Sequence, residues 1–201
     1  MKKFLIMLLT VALFLSSVEC STVCADTTPD WRQMYLDYLN KNYKDKDLDT
    51  YDAALIYVDN DDVPELYINS HETFAANELC LMLTIKNNKV KSFDISNEMM
   101  YYAPKKNRML CQYGAGLSIS GYWKMSQMKN GKEKELCVAY RDQDLTQQKP
   151  FYYYHVNSKL VSKAKYQKAV KNMKTKYKWK KVDKKLKPMK TVMKVLDSET
   201  E

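Results

Sequence analysis

The chain has 201 residues, 45% of them hydrophobic, and a formal net charge of +9; that length suits one domain with a sizeable core. The charge is local: residues 26–158 hold 16 Lys and Arg against 19 Asp and Glu, while residues 159–194 hold 15 Lys and a single acid, Asp183. A uniformly basic surface is therefore excluded, and so is a disulfide framework or a zinc site, because beyond residue 25 only Cys80, Cys111 and Cys137 remain, an odd set without a CxxC pair.

Lys2 and Lys3 precede an apolar run over residues 4–18, and Val23 and Ala25 stand at the −3 and −1 positions of a small-residue cleavage site. The run is short for a membrane span, which needs about 20 apolar residues. Residues 1–25 thus read as a secretory signal peptide, with Asp26 as the mature start. The expected location is outside the cell or on its surface, and a membrane is met only through this segment if it stays uncleaved. The three remaining cysteines read as buried free thiols.

Asp30 is a good N-cap, with Gln33 three residues on, and Trp31, Met34, Tyr35, Tyr38 and Leu39 form an apolar stripe at helical period. Beyond it the period changes. Residues 53–58 and 65–69 read as strands around the acidic turn DNDDVP, and residues 79–86 and 89–95 as a hairpin about Asn87-Asn88. Residues 99–103 and 108–113 flank the turn PKKN. In GLSISGYWKMSQM, Leu117, Ile119, Gly121, Trp123 and Met125 alternate with Ser118, Ser120, Tyr122, Lys124 and Ser126, which predicts a strand with one dry and one wet face. Asn130-Gly131 turns the chain into ELCVAYR, and PFYYYHV is a further strand. Ser162 caps a second helix over 163–174, YKWKKV reads as a short last strand, and 189–196 as a weak helix. The expected fold is α+β: an N-terminal helix packed on an antiparallel, meander-like sheet of about six to eight strands, with a second helix near the C-terminus. One domain over 26–182 is expected, followed by a Lys-rich to acidic tail over 183–201.

Calcium takes six to eight oxygens from a loop that wraps it. Laid on the pattern DxDxDGxPEL, the stretch YVDNDDVPEL puts Asp59, Asp61 and Glu65 at positions 3, 5 and 9, with the Val63 carbonyl at position 7. Tyr57 at position 1 lacks a carboxylate, and Asp62 stands where Gly makes the sharp turn. The bland alternative is an Asp-rich turn that caps its own backbone. ALIYVDNDDVPELYI, with the helix start DWRQMYLDYLN and the later YGAGLSISGYWKM and YYYHVNSKLVSKAKYQKA, resembles a group of small, uncharacterised secreted proteins of Gram-positive bacteria. The turn itself is similar to FG-GAP and EF-hand-like calcium loops. The resemblance implies calcium as the one candidate cofactor, ligated by Asp59, Asp61 and Glu65.

The Lys-rich segment offers Lys174, Lys176, Lys178, Lys180, Lys181, Lys184 and Lys185 to a polyanion. Without Arg it has no planar fork for specific geometry, so salt-sensitive attraction to wall polymers is expected rather than nucleic-acid reading. A solvated charge face is the alternative. Of the many tyrosines, Tyr122, Tyr152 and Tyr154 are the candidates for an outer ligand platform if they share a face. His71 and His155 have no Ser, Cys or Asp at a catalytic spacing. The expected function is a non-enzymatic binding module for a cell-wall polymer, a glycan or a surface protein. The alternatives are a polyanion binder through the Lys segment and a secreted hydrolase, the latter requiring a histidine to meet a nucleophile or carboxylate in space.

Overall fold

The computed structural model describes residues 30–70, 80–95, 99–113, 119–147, 149 and 151–198. The expected leader, His71 and the first residues of the alternating GLSIS stretch lie outside them. The first element is helix α1 (Trp31–Tyr43). Asp30 Oδ1 accepts the Arg32 amide at 3.0 Å, as an N-cap should. Gln33 does not close a capping box: its Nε2 donates to Asp37 instead. The stripe is centred on Tyr35, Leu36 and Leu39, so Leu36 replaces Met34 on the buried side.

The α+β class holds, but the strands form two sheets rather than one. Among the described residues the first sheet contains β1 (Tyr51–Ile56), β2 (Glu65–Ser70), β3 (Cys80–Ile85), β4 (Val90–Ile95) and β12 (Lys187–Pro188), in the order β12-β1-β2-β3-β4. The second contains β5 (Met99–Ala103), β6 (Arg108–Tyr113), β7 (Ile119–Lys129), β8 (Lys132–Asp144), β9 (Phe151–Val156), β10 (Lys159–Val161) and β11 (Lys180–Lys181), in the order β10-β9-β8-β7-β6-β5-β11. All pairings are antiparallel. Asn87, Asn88, Asn130 and Gly131 take positive φ at the hairpin tips, where Asn and Gly are least strained.

Helix α2 (Lys163–Thr175) and helix α3 (Met189–Ser198) complete the fold. The layers follow from alternation along the strands. Ala54, Ile56, Tyr67 and Met82 of the first sheet meet Met100, Tyr102, Met109 and Cys111 of the second in a central core. Their neighbours Ala53, Leu66, Ile68 and Leu83 point the other way, onto α1 and α3. On the far side of the second sheet, Leu110, Trp123, Met125 and Ala139 pack on Met173 of α2. The order is helices, sheet, sheet, helix.

Two expectations are corrected here. The face of β7 carrying Lys124 and Ser126 is not wet, since it lies between the sheets; Lys124 is 8% exposed and Ser126 fully buried. The Lys124 ammonium is held by Glu133 at 2.8 Å, which satisfies the charge in a place where it would otherwise be costly. Nor is residue 183 the start of a tail. Val182 is buried in the central core, a 3-10 turn (Asp183–Lys185) follows, β12 pairs with β1, and α3 buries Met189, Val192 and Leu196. Among the described residues no helix is long and apolar enough to cross a membrane.

Candidate functional site

The acidic turn brings its three predicted carboxylates together. One oxygen from each of Asp59, Asp61 and Glu65 lies within 4.8 Å of the others. The turn is built largely by its own side chains. Asp59 Oδ1 accepts the Asp61 amide and Asp61 Oδ1 accepts the Val63 amide, each at 3.1 Å. Glu65, 1% exposed, accepts the Val58 amide at 2.8 Å. Burial, helped by the neighbouring Asp59 and Asp61, pushes its carboxyl up to about 8. Near neutral pH Glu65 is therefore biased toward its uncharged form, and the charges that stand beside it are those of Asp59 and Asp61.

A lysine answers those two charges. Lys86, one residue beyond β3, donates to Asp59 Oδ2 at 2.8 Å and to Asp61 Oδ2 at 2.7 Å. Burial works against the charge of both Lys86 and Asp59. Their mutual hydrogen bonds outweigh it, holding the ammonium above and the Asp59 carboxyl below their ordinary values. Tyr57 is 43% exposed and carries Lys105 over its ring, and Lys105 also pairs with Asp62, whose side chain is 97% exposed. Tyr57, at the position where a first carboxylate is wanted, is thus turned partly outward, and the Lys86 ammonium occupies the Oδ2 atoms that Asp59 and Asp61 would offer an ion. As arranged, these residues do not fit a calcium ion, which needs six to eight oxygens at about 2.3–2.6 Å.

The tyrosine platform is not assembled. Gly121 takes φ 57°, and the register between β7 and β8 slips between Ser120 and Trp123. Tyr122 stacks on Tyr140 at 5.7 Å, and Tyr140 on His155 at 4.6 Å. Tyr152 and Tyr154 alternate with His155 along β9 and so face the opposite way. Tyr154 packs on Tyr166 of α2, and Arg141 covers the Tyr152 ring. The three residues do not share a face. His155 is stacked on Tyr140, and among the described residues its buried Nδ1 meets no hydrogen-bond partner.

Part of the Lys segment lines a concavity. A cleft of about 730 Å³ lies where α2, β11 and the 3-10 turn meet the outer face of the second sheet. Lys174, Lys180, Lys181, Lys184 and Lys185 line it, together with Tyr101, Trp123 and Trp179. Lys174 sits 4.0 Å above the Trp123 ring. Trp179 is fixed by its Nε1, which donates to the Met173 carbonyl at 2.9 Å. Lys181 pairs with Asp183, whereas Lys174, Lys180, Lys184 and Lys185 have no carboxylate partner among the described residues. Of the seven predicted lysines, Lys176 and Lys178 are not in the cleft wall. Tyr101 and Trp123 also line the cleft, and no motif in the sequence marks them for it. Their signal was present as strand alternation, but it reads equally as core. No family model, no curated protein and no solved structure matches the chain.

Proposed function

We propose that the protein is an exported, non-enzymatic binding module that holds an anionic polymer of the cell surface in the lysine-lined cleft. One observation carries the reading. Five lysines from three elements converge on one concavity with aromatic walls, whereas a merely solvated charge face would spread them. Lysines bind anionic groups as point charges, so the attachment is salt-dependent and tolerant of ligand sequence. The aromatic walls add contact with the apolar faces of rings along the polymer. The signal-peptide pattern expected over residues 1–25 supports this reading, since wall polymers and glycans would be the partners of an exported module.

The experiment compares two triple variants of equal charge on heparin, used as a polyanion probe. Lys180→Glu/Lys184→Glu/Lys185→Glu alters the cleft, and Lys163→Glu/Lys165→Glu/Lys168→Glu alters residues outside its wall. The cleft variant is expected to elute at much lower salt, with the log–log salt slope reduced by about 3 as three contacts are lost. The control variant is expected to elute close to the wild type. Equal losses in both variants would mean diffuse attraction and no site.

A further inference from the structure

We propose that Lys86 is the resident cation of the acidic turn, a tethered ammonium that closes the loop and makes its order independent of metal ions. The division of oxygens points to this. Asp59 and Asp61 each give Oδ1 to a backbone amide of the turn and Oδ2 to Lys86. Each carboxylate is thus used once to shape the backbone and once to hold a positive charge. An ammonium has three donors and one charge, which suits two carboxylate oxygens; a divalent ion would require several more ligands.

Lys86 is delivered from a stiff position rather than by a wandering side chain. Its N–H donates to the Lys89 carbonyl at 3.0 Å and its carbonyl accepts the Lys89 amide at 3.2 Å, closing the Asn87-Asn88 turn. The β1–β2 turn and the end of β3 therefore present the carboxylates and their cation at one end of the first sheet, where β2 and β3 are paired neighbours.

What the closed loop holds explains why its order matters. The Tyr35 hydroxyl of α1 donates to the Pro64 carbonyl at 2.8 Å. From the β5–β6 turn, the Lys105 amide donates to the Tyr57 carbonyl at 3.1 Å and the Asn107 amide to the Val58 carbonyl at 2.7 Å. Asn107 Oδ1 in turn accepts the Met128 amide at 2.8 Å. The acidic turn is a joint among α1, the first sheet and the second sheet, and Lys86 is its positioning residue. The joint shares no residue with the lysine cleft.

The test follows amide hydrogen exchange at Asp61 and Val63 in three proteins, each with EDTA and with about 5 mM calcium, well above the weak extracellular range. In the wild type, exchange is expected to be the same in both conditions. In Lys86→Met it is expected to rise about ten-fold or more, because two facing carboxylates lose their counter-charge. Lys86→Met/Asp59→Asn removes the cation and one of the two charges together, and is expected to regain much of the protection. That recovery would not follow if Lys86 mattered only by filling space. Calcium-dependent protection in the wild type would overturn the proposal. So would wild-type protection in Lys86→Met, or a double variant no better protected than the single one.

Discussion

Glu65→Gln is expected to make the protein more stable at alkaline pH and to remove a stability loss that the wild type suffers as pH rises. The buried carboxyl moves from an ordinary 4.5 to about 8 in the fold, first because it is desolvated and then because Asp59 and Asp61 stand near it. The folded state therefore binds this proton more tightly than the unfolded chain does. The stabilising contribution is fully present below pH 4.5 and is lost as pH climbs through 8. Across that window it amounts to about 3–5 kcal/mol, a large part of the stability of a domain this size. Urea unfolding midpoints of wild type and variant, read at intervals from pH 5 to pH 9, check it. The difference between the two curves isolates Glu65 from the other titrating groups. A difference that stays flat with pH would mean that the carboxyl is not held protonated. The Gln side chain keeps an acceptor for the Val58 amide, so the comparison changes charge with little change in shape.

The same turn shows where a sequence is legible and where it stops. Asp59, Asp61 and Glu65 are readable as a cluster because they lie within one loop, and the structure brings them together. Their cation comes from Lys86, beyond the next two strands, and no local spacing marks it. Alternation recovers the strand-forming stretches and most hairpins, since Asn-Asn and Asn-Gly tips have a conformational cause. It does not say which sheet a strand joins. It also takes polar residues as a sign of water, and Lys124 and Ser126 defeat that rule because the first sheet covers them and Glu133 answers the lysine. Parity fails at Gly121, where the slip in register turns Tyr122 away from the side of Tyr152 and Tyr154. The Lys segment is plain in composition. Which of its lysines face inward depends on β11 pairing with β5, where Lys180 lies opposite Tyr102 and Lys181 opposite Tyr101.

Ending the chain at Val182 is expected to abolish cooperative folding, although composition alone makes residues 183–201 look like a dispensable charged tail. The cut removes β12, which pairs with β1 at Asp52 and Ala53, and the whole of α3. Met189, Val192 and Leu196 are all buried in the layer that α3 shares with α1, against Tyr35, Leu39, Tyr51 and Leu66. Each such side chain contributes about 1.5–3 kcal/mol by burial, and the residues it covers would be exposed in turn. The total approaches the whole of a typical domain's stability, about 5–15 kcal/mol. Thermal unfolding followed by circular dichroism would show a broad, non-cooperative change in the truncated protein and a sharp one in the full chain. A graded version avoids reliance on a protein that does not fold. Leu196→Ala is expected to cost about 2–5 kcal/mol, while Lys194→Ala on the exposed side of the same helix should stay within about 0.5 kcal/mol of wild type. A truncated protein that unfolds sharply near the wild-type midpoint, or a Leu196→Ala variant as mild as Lys194→Ala, would place α3 outside the core. The opposite result ties the lysines of the cleft to the fold itself. The segment bearing Lys180, Lys181, Lys184 and Lys185 would then be anchored at its middle by Val182 in the central core and beyond its end by α3 against the first sheet. An anionic ligand would meet a wall already in place, with little ordering left to oppose its binding.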